Sequence, residues 1–255
     1  MPDGPMDNGT DRRPGPIALV GSGEYLPEME DVERGLLAGR PPRMVQLATA
    51  AAPEGPERLH YWYDLGRDAA RRLGVKQVVI PVVDRATADD HALAATVAGA
   101  GLIYLSGGSP PFLALTLRGT RVWAAIEAAW RRGAALAGCS AGAMALTGRV
   151  PDIRHPLQSP QPGLDVVPHL RVLPHFDQFI RSMPDGVLRR LAAPSPGVTV
   201  LGIDERTALV GGPVEWTVQG HQSVWALDGD GRREHPVGSR LTFTPPAGGG
   251  ADASG

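Results

Sequence analysis

Apolar residues in the first 140 positions fall into short, nearly uninterrupted runs separated by helical patterns. Ile17 to Gly21 is a buried strand of Ile, Ala, Leu and Val that ends in glycine, and Met44 to Ala48 is a second. Gln77 to Val83, Gly101 to Ser106 and Ala134 to Gly138 are the third, fourth and fifth. None alternates polar with apolar positions, so the pattern is that of parallel strands covered on both faces. Between them, Glu57 to Leu73 carries the aromatic run His60-Tyr61-Trp62-Tyr63 and stops at Gly74, a C-terminal helix stop. Thr87 to Val97 reads as one helix with a threonine cap. Thr120 to Arg132 sets Val122, Ile126 and Trp130 on one stripe and ends in cations, which suit the negative end of the helix dipole. This alternation predicts right-handed crossovers around a mostly parallel sheet, with helices on both faces.

After Leu146 the rhythm breaks. Arg149 to Pro168 holds five prolines and reads as a long loop, a candidate lid over a site. Strand signals return at Val198 to Ile203, Ala208 to Val210, Glu215 to Gln219 and Ser223 to Leu227, close enough together to be antiparallel. Gly211-Gly212-Pro213 and Gly220-His221 supply turns. Residues 1–15 and 244–255 read as disordered tails around a single α/β domain at 16–243.

Composition narrows the function classes. The 255 residues are enough for one large core. A net charge of −2 recommends neither nucleic acid nor an anionic membrane as partner. No apolar run is long enough to span a bilayer, and Met1-Pro2-Asp3-Gly4 lacks the features of a signal peptide, so a cytoplasmic location is expected. The single cysteine, Cys139, excludes an intramolecular disulfide, and no His, Cys or acidic spacing resembles a metal-ligand set. No metal and no cofactor are expected. Of the 25 basic residues only Lys76 is lysine, which we attribute to GC-rich coding.

Candidate chemistry lies beyond the carboxyl ends of the strands, where open parallel sheets bind ligands. Three loops sit there: Gly21-Ser22-Gly23-Glu24, Ser106-Gly107-Gly108-Ser109 and Gly138-Cys139-Ser140-Ala141-Gly142-Ala143. The third, a strand running through Gly-x-Ser-x-Gly into a helix, is a nucleophile elbow. Its turn needs small residues two positions either side of the serine, and Gly138 and Gly142 meet that need. The Ala141 N–H then points where an oxyanion would form, and Gly107-Gly108 can bring a second backbone donor close. Cys139, one position before the serine, reads as inert packing. A serine nucleophile needs a base. Of seven histidines, His175 lies between Pro174 and Phe176, which would hold its ring in one place; taken alone it reads as a structural histidine, and His169 and His221 are not excluded by periodicity. The base needs an orienting acid. Asp204 and Glu205 follow a buried strand, so one is expected to face the site and the other to turn away; Asp152 and Asp177 are rivals.

Taken together, Ser106-Gly107-Gly108, Leu117-Arg118-Gly119-Thr120, the Ser140 elbow, Pro174-His175-Phe176 and Gly202-Ile203-Asp204-Glu205 resemble, in order, the dipeptidase E and cyanophycinase family of serine peptidases, over roughly Pro16 to Leu227. The resemblance implies a three-layer αβα sandwich of the class I glutamine amidotransferase type, with the elbow after the fifth strand. It implies Ser140 as nucleophile, His175 as base and Glu205 as acid, with Asp152 the alternative acid. Gly108 and Ala141 would be the oxyanion donors. Gly107, Ser109, Asp177 and Arg181 would meet a small peptide or amide substrate, Arg181 through a substrate carboxylate, and a homodimer fits the family. The family often carries Asp or Asn and then Gln after Gly-Gly, where this chain has Ser109-Pro110, so the substrate is open. The other readings are a glutaminase-like or esterase activity on the same scaffold, or a non-catalytic ligand-binding member.

Overall fold

Ile17 and Leu19 pack into one apolar cluster while Ala18 and Val20, which alternate with them, pack into another. The first strand is therefore covered on both faces, which is why its sequence shows no polar alternation. The computed structural model describes residues 13–151, 159–178, 186, 189, 191–193, 195–228 and 231–245. In chain order the elements are β1 (Ile17–Val20), α1 (Glu30–Leu37), β2 (Arg43–Leu47), α2 (Pro56–Leu73), β3 (Lys76–Val79), α3 (Arg85–Ala88) and α4 (His91–Ala95). Next come β4 (Leu102–Leu105), α5 (Pro110–Leu117), α6 (Arg121–Arg131), β5 (Ala135–Cys139), α7 (Ala141–Ala145), β6 (Arg149–Val150) and β7 (Gln161–Pro162). The rest is β-structure: β8 (Leu170–Pro174), β9 (Thr199–Ile203), β10 (Thr207–Gly211), β11 (Glu215–Gly220), β12 (Ser223–Asp228), β13 (Gly231–Pro236) and β14 (Arg240–Thr242).

The central sheet has eight strands in the order β14-β11-β10-β1-β5-β4-β2-β3. β1, β5, β4, β2 and β3 are mutually parallel, and β10 joins β1 antiparallel. Helices cover both faces, as the βαβ pattern predicts. Leu113 of α5, Val122 and Ile126 of α6 and Met144 of α7 share a cluster with Ile17 and Leu19. Val32 and Leu36 of α1 and Ala69 and Leu73 of α2 share the other with Ala18 and Val20. Helix α6 is capped by Thr120, whose Oγ1 accepts the Trp123 N–H. Helix α2 ends at Gly74, which is left-handed at φ 71°.

Two expectations change. The single helix at 87–97 is two one-turn helices, because Asp84 and Asp90 each cap their own turn by accepting the N–H of Thr87 and Leu93. Thr87 is the third residue of a capping box rather than the cap. The late strands also divide between two sheets. β10 and β11 extend the central sheet, while β9 and β12 form a four-stranded sheet with β13 and β8 in the order β13-β12-β9-β8. There β8 and β9 are parallel, with Pro174 opposite Ile203. Gly220-His221 therefore links strands of different sheets.

At the amino end, Gly15 is already fixed: its N–H donates to Trp130 O and its carbonyl accepts from Trp130 Nε1. In the predicted loop 149–168, β6 and β7 pair, and Leu164 N–H donates to Ala145 O. Arg118 reaches across to Gly163 O and Asp165. This described part does not line the cavity introduced below. Among the described residues no helix is long and apolar enough to cross a membrane.

Candidate active site

Strand β5 runs straight into α7 through Ser140, whose backbone is at φ 49°, ψ −107°. Such a conformation is rare for an L-residue and persists only where the surroundings hold it. They do: Ser140 N–H donates to Val20 O, and Met144 N–H donates to Ser140 O. The turn needs backbones in near contact, since a Cβ on Gly138 would lie 2.5 Å from Gly142 C and one on Gly142 would lie 2.2 Å from Leu105 O. The Ser140 side chain is thereby aimed outward from the carboxyl end of the sheet. Ala141 opens α7, so its N–H has no partner within the helix.

The small sheet delivers the other two groups. Because β8 and β9 are parallel with Pro174 opposite Ile203, the residues just beyond their ends emerge side by side. These are His175 and the Asp204-Glu205 pair. His175 Nε2 lies 3.1 Å from Ser140 Oγ, and His175 Nδ1 lies 2.9 Å from Glu205 Oε1. The next residue, Phe176, is fully buried, with its ring centroid 6.1 Å from that of Trp225. The Glu205 backbone is fixed as well. Its N–H donates to Asp177 Oδ1 at 3.0 Å, and its carbonyl accepts from Gln222 Nε2 and Thr207 Oγ1.

The two adjacent carboxylates part as the sequence led us to expect. Asp204 is buried and accepts from Ser223 N–H and Trp225 Nε1. Burial pushes its pKa up, and those donors only partly oppose the shift. Glu205 faces the histidine. His169 and His221 stand elsewhere, on Pro213 O and Glu28 O. Asp152 and Arg181 lie outside the described residues.

A cavity of about 420 Å³ opens beside Ser140 and His175. Gly107, Gly108 and Glu24 line its floor, and Glu54, Arg58, Tyr61 and Trp62 form a wall. Gly108 takes φ 140°, and a Cβ there would lie 2.3 Å from Ala50 O, so only glycine fits. Gly107 N–H is committed to Glu24 Oε1 at 3.0 Å. Ser109 N–H donates to Ala50 O and Pro110 opens α5, so neither lines the cavity. Asp177 does not line it either, and meets Glu205 instead.

Glu24 and the aromatic wall were given no role from sequence. The wall stands where it does because Gln46 Nε2 donates to Trp62 O and Gln77 Nε2 to Tyr63 O, which ties α2 to the sheet. Arg58 lies 4.6 Å from the Tyr61 ring centroid and 5.3 Å from that of Trp62, with Glu54 at 3.5 Å. The clue was available in the run of four aromatics following a strand that ends at the site. Cys139 is more than packing, because its thiol donates to Glu24 Oε2 at 2.7 Å. Burial first, then the Glu24 carboxylate, push that thiol's pKa well up, so it stays a protonated donor. Among the described residues no group of three or more His, Cys, Asp or Glu side chains could hold a metal ion.

The helix-flanked, mostly parallel sheet defines the class of α/β proteins to which peptidase E-like structures belong. A peptidase E-like protein from Listeria monocytogenes EGD-e superposes with a TM-score of 0.54 at 15% identity, over 88% of this chain and 99% of that one. A peptidase from an acI-B1 Actinobacterium is more similar: 38% identity and a TM-score of 0.84, over 91% of this chain and 98% of that one. The model of peptidase family S51 matches residues 19–212, and the chain belongs to that family. No functionally curated protein matches it.

Proposed function

We propose that the protein is a serine peptidase or amidohydrolase that cleaves a short peptide or small amide through an acyl-enzyme. The observation that carries this reading is the continuous chain Ser140 Oγ, His175, Glu205, with contacts of 3.1 and 2.9 Å, at the edge of a cavity. His175 Nε2 takes the Ser140 proton as Oγ attacks the substrate carbonyl. Glu205, accepting from Nδ1–H, fixes the tautomer and stabilises the imidazolium that forms. The N–H groups of Gly108 and Ala141 receive the developing oxyanion, each worth about 3 kcal/mol by analogy with measured donors. His175 then returns the proton to the leaving amine, and water, activated by the same histidine, releases the acyl group.

The acid is Glu205 rather than Asp152, because Glu205 reaches the histidine with its own backbone held by three hydrogen bonds. A cavity of about 420 Å³ suits a substrate of dipeptide size. A fluorophosphonate probe tests the reading: the wild-type protein takes the label and Ser140→Ala does not. A folded wild-type protein that takes no label overturns it. Substrate class is then read from a panel of Asp-X, X-Asp and β-aspartyl-Arg dipeptides.

A further inference from the structure

Beneath the site, one carboxylate touches both halves of the machinery. Glu24 follows the loop after β1, is only 4% exposed, and accepts two hydrogen bonds. Its Oε1 takes the Gly107 N–H, and its Oε2 takes the thiol of Cys139, the residue before Ser140. The next residue grips the same loop, since Tyr25 OH pairs with Ser106 Oγ at 3.0 Å. Tyr25 is left-handed at φ 66°, an unfavourable state for an aromatic residue. It is held there from both sides: its N–H donates to Glu33 Oε1, and its carbonyl accepts from Arg72.

We propose that Glu24 is a positioning residue that locks the Ser106–Gly108 loop to the nucleophile turn and so keeps the Gly108 and Ala141 N–H groups in register. The reasoning is geometric. An oxyanion hole made from two separate loops works only if the loops keep a fixed spacing, and small misplacements cost rate steeply. Gly107 and Gly108 have no side chains with which to anchor themselves, and flexibility there would blur the donor position. A buried carboxylate accepting from a backbone N–H forms a strong, charge-assisted tie. By occupying the Gly107 N–H, Glu24 also leaves Gly108 as the donor facing the cavity. The hydrogen bonds of Glu24 go to Gly107 and Cys139, and it acts through them.

The catalytic consequence rests on the serine-hydrolase reading above, whereas the tie itself can be measured without activity. Glycine amide exchange followed by NMR reads it directly. In Glu24→Ala the Gly107 amide should exchange at least about tenfold faster. Probe labelling and kcat should both fall about 10- to 100-fold, with KM within about threefold. In Glu24→Gln the side-chain oxygen can still accept from Gly107, so protection and most of kcat should return. Cys139→Ala and Glu24→Ala should combine less than additively, since both cut one bridge. Unchanged Gly107 exchange in a folded Glu24→Ala protein overturns the proposal. So does a rise in KM at constant kcat, which would make Glu24 a substrate ligand. A wild-type protein that takes no probe, while Gly107 exchange responds as stated, sinks the hydrolase reading and leaves the tie standing.

Discussion

His175 Nδ1 and Glu205 Oε1 are 2.9 Å apart, although 30 residues separate them in the chain. The parallel register of β8 and β9 makes the contact, and the Asp177–Glu205 hydrogen bond steadies it. Glu205→Gln keeps the side chain's shape but offers the ring a weaker and ambiguous partner. We expect kcat to fall by about 10²- to 10⁴-fold, with the melting temperature nearly unchanged. Steady-state kinetics beside thermal unfolding check this. A Glu205→Gln enzyme of full activity would remove Glu205 from the reaction.

The neighbouring carboxylate should behave in the opposite way. Asp204 is buried and accepts the Ser223 N–H and the Trp225 indole N–H, so its loss leaves two donors unpaired. Asp204→Ala is expected to cost about 1–3 kcal/mol of stability. The folded fraction should keep a probe-labelling rate close to that of the wild type. Denaturant unfolding paired with active-site titration separates the two effects.

How much of this was legible in the sequence depends on what each residue needs locally. Ser140 shows itself because so tight a strand-to-helix turn forces small residues at Gly138 and Gly142, a demand written in nearby positions. The strands of the sheet's centre show themselves because both faces are buried. β13 and β14 were missed: they carry Arg232, Arg233, Glu234 and Arg240, the exposed charges of edge strands. The division of β9 and β10 between two sheets was hidden as well, because only Asp204 to Arg206 separates them and composition does not choose a partner strand. Glu24 was seen only as part of a glycine loop, since its partners lie 83 and 115 residues away.

Strain at Ser140 predicts a trade between stability and function. At φ 49°, ψ −107° the residue is in a region that glycine tolerates and serine does not. Ser140→Gly should therefore be more stable than Ser140→Ala by about 1 kcal/mol, after the greater chain entropy of glycine when unfolded is counted. Both variants should be unlabelled by the probe. Equal unfolding midpoints for the two would show that the turn stores no strain.

Gly202 tests how closely the histidine is supported. A Cβ there would lie 2.3 Å from Phe176 Cγ, and Phe176 adjoins His175. The ring is buried and cannot swing away without leaving its cluster with Leu173 and Leu191. Gly202→Ala should destabilise the fold by about 1–3 kcal/mol by overpacking. It should also slow probe labelling, because a displaced Phe176 carries the imidazole away from Ser140. Retention of the full labelling rate would mean that the histidine is placed independently of Phe176.

Glu33 supplies the clearest pH dependence. It is buried beneath Tyr25, and burial raises its pKa to about 7, against the opposing effects of the Tyr25 N–H and Arg72. Glu24 and Glu30 add repulsion in the same upward direction. In the unfolded chain the group titrates near 4.5. Between those two values the native state holds a proton that the unfolded state has released, so this group's contribution to stability falls as pH rises. The loss starts near the unfolded pKa, is complete just above the folded one, and amounts to about 3 kcal/mol at most. Glu33→Gln keeps an oxygen for the Tyr25 N–H and cannot ionise. Its stability should therefore be flatter from pH 5 to about 7.5 than that of the wild type. Urea unfolding across that range, compared between the two proteins, decides the matter: parallel pH profiles would show that Glu33 titrates normally in the folded protein.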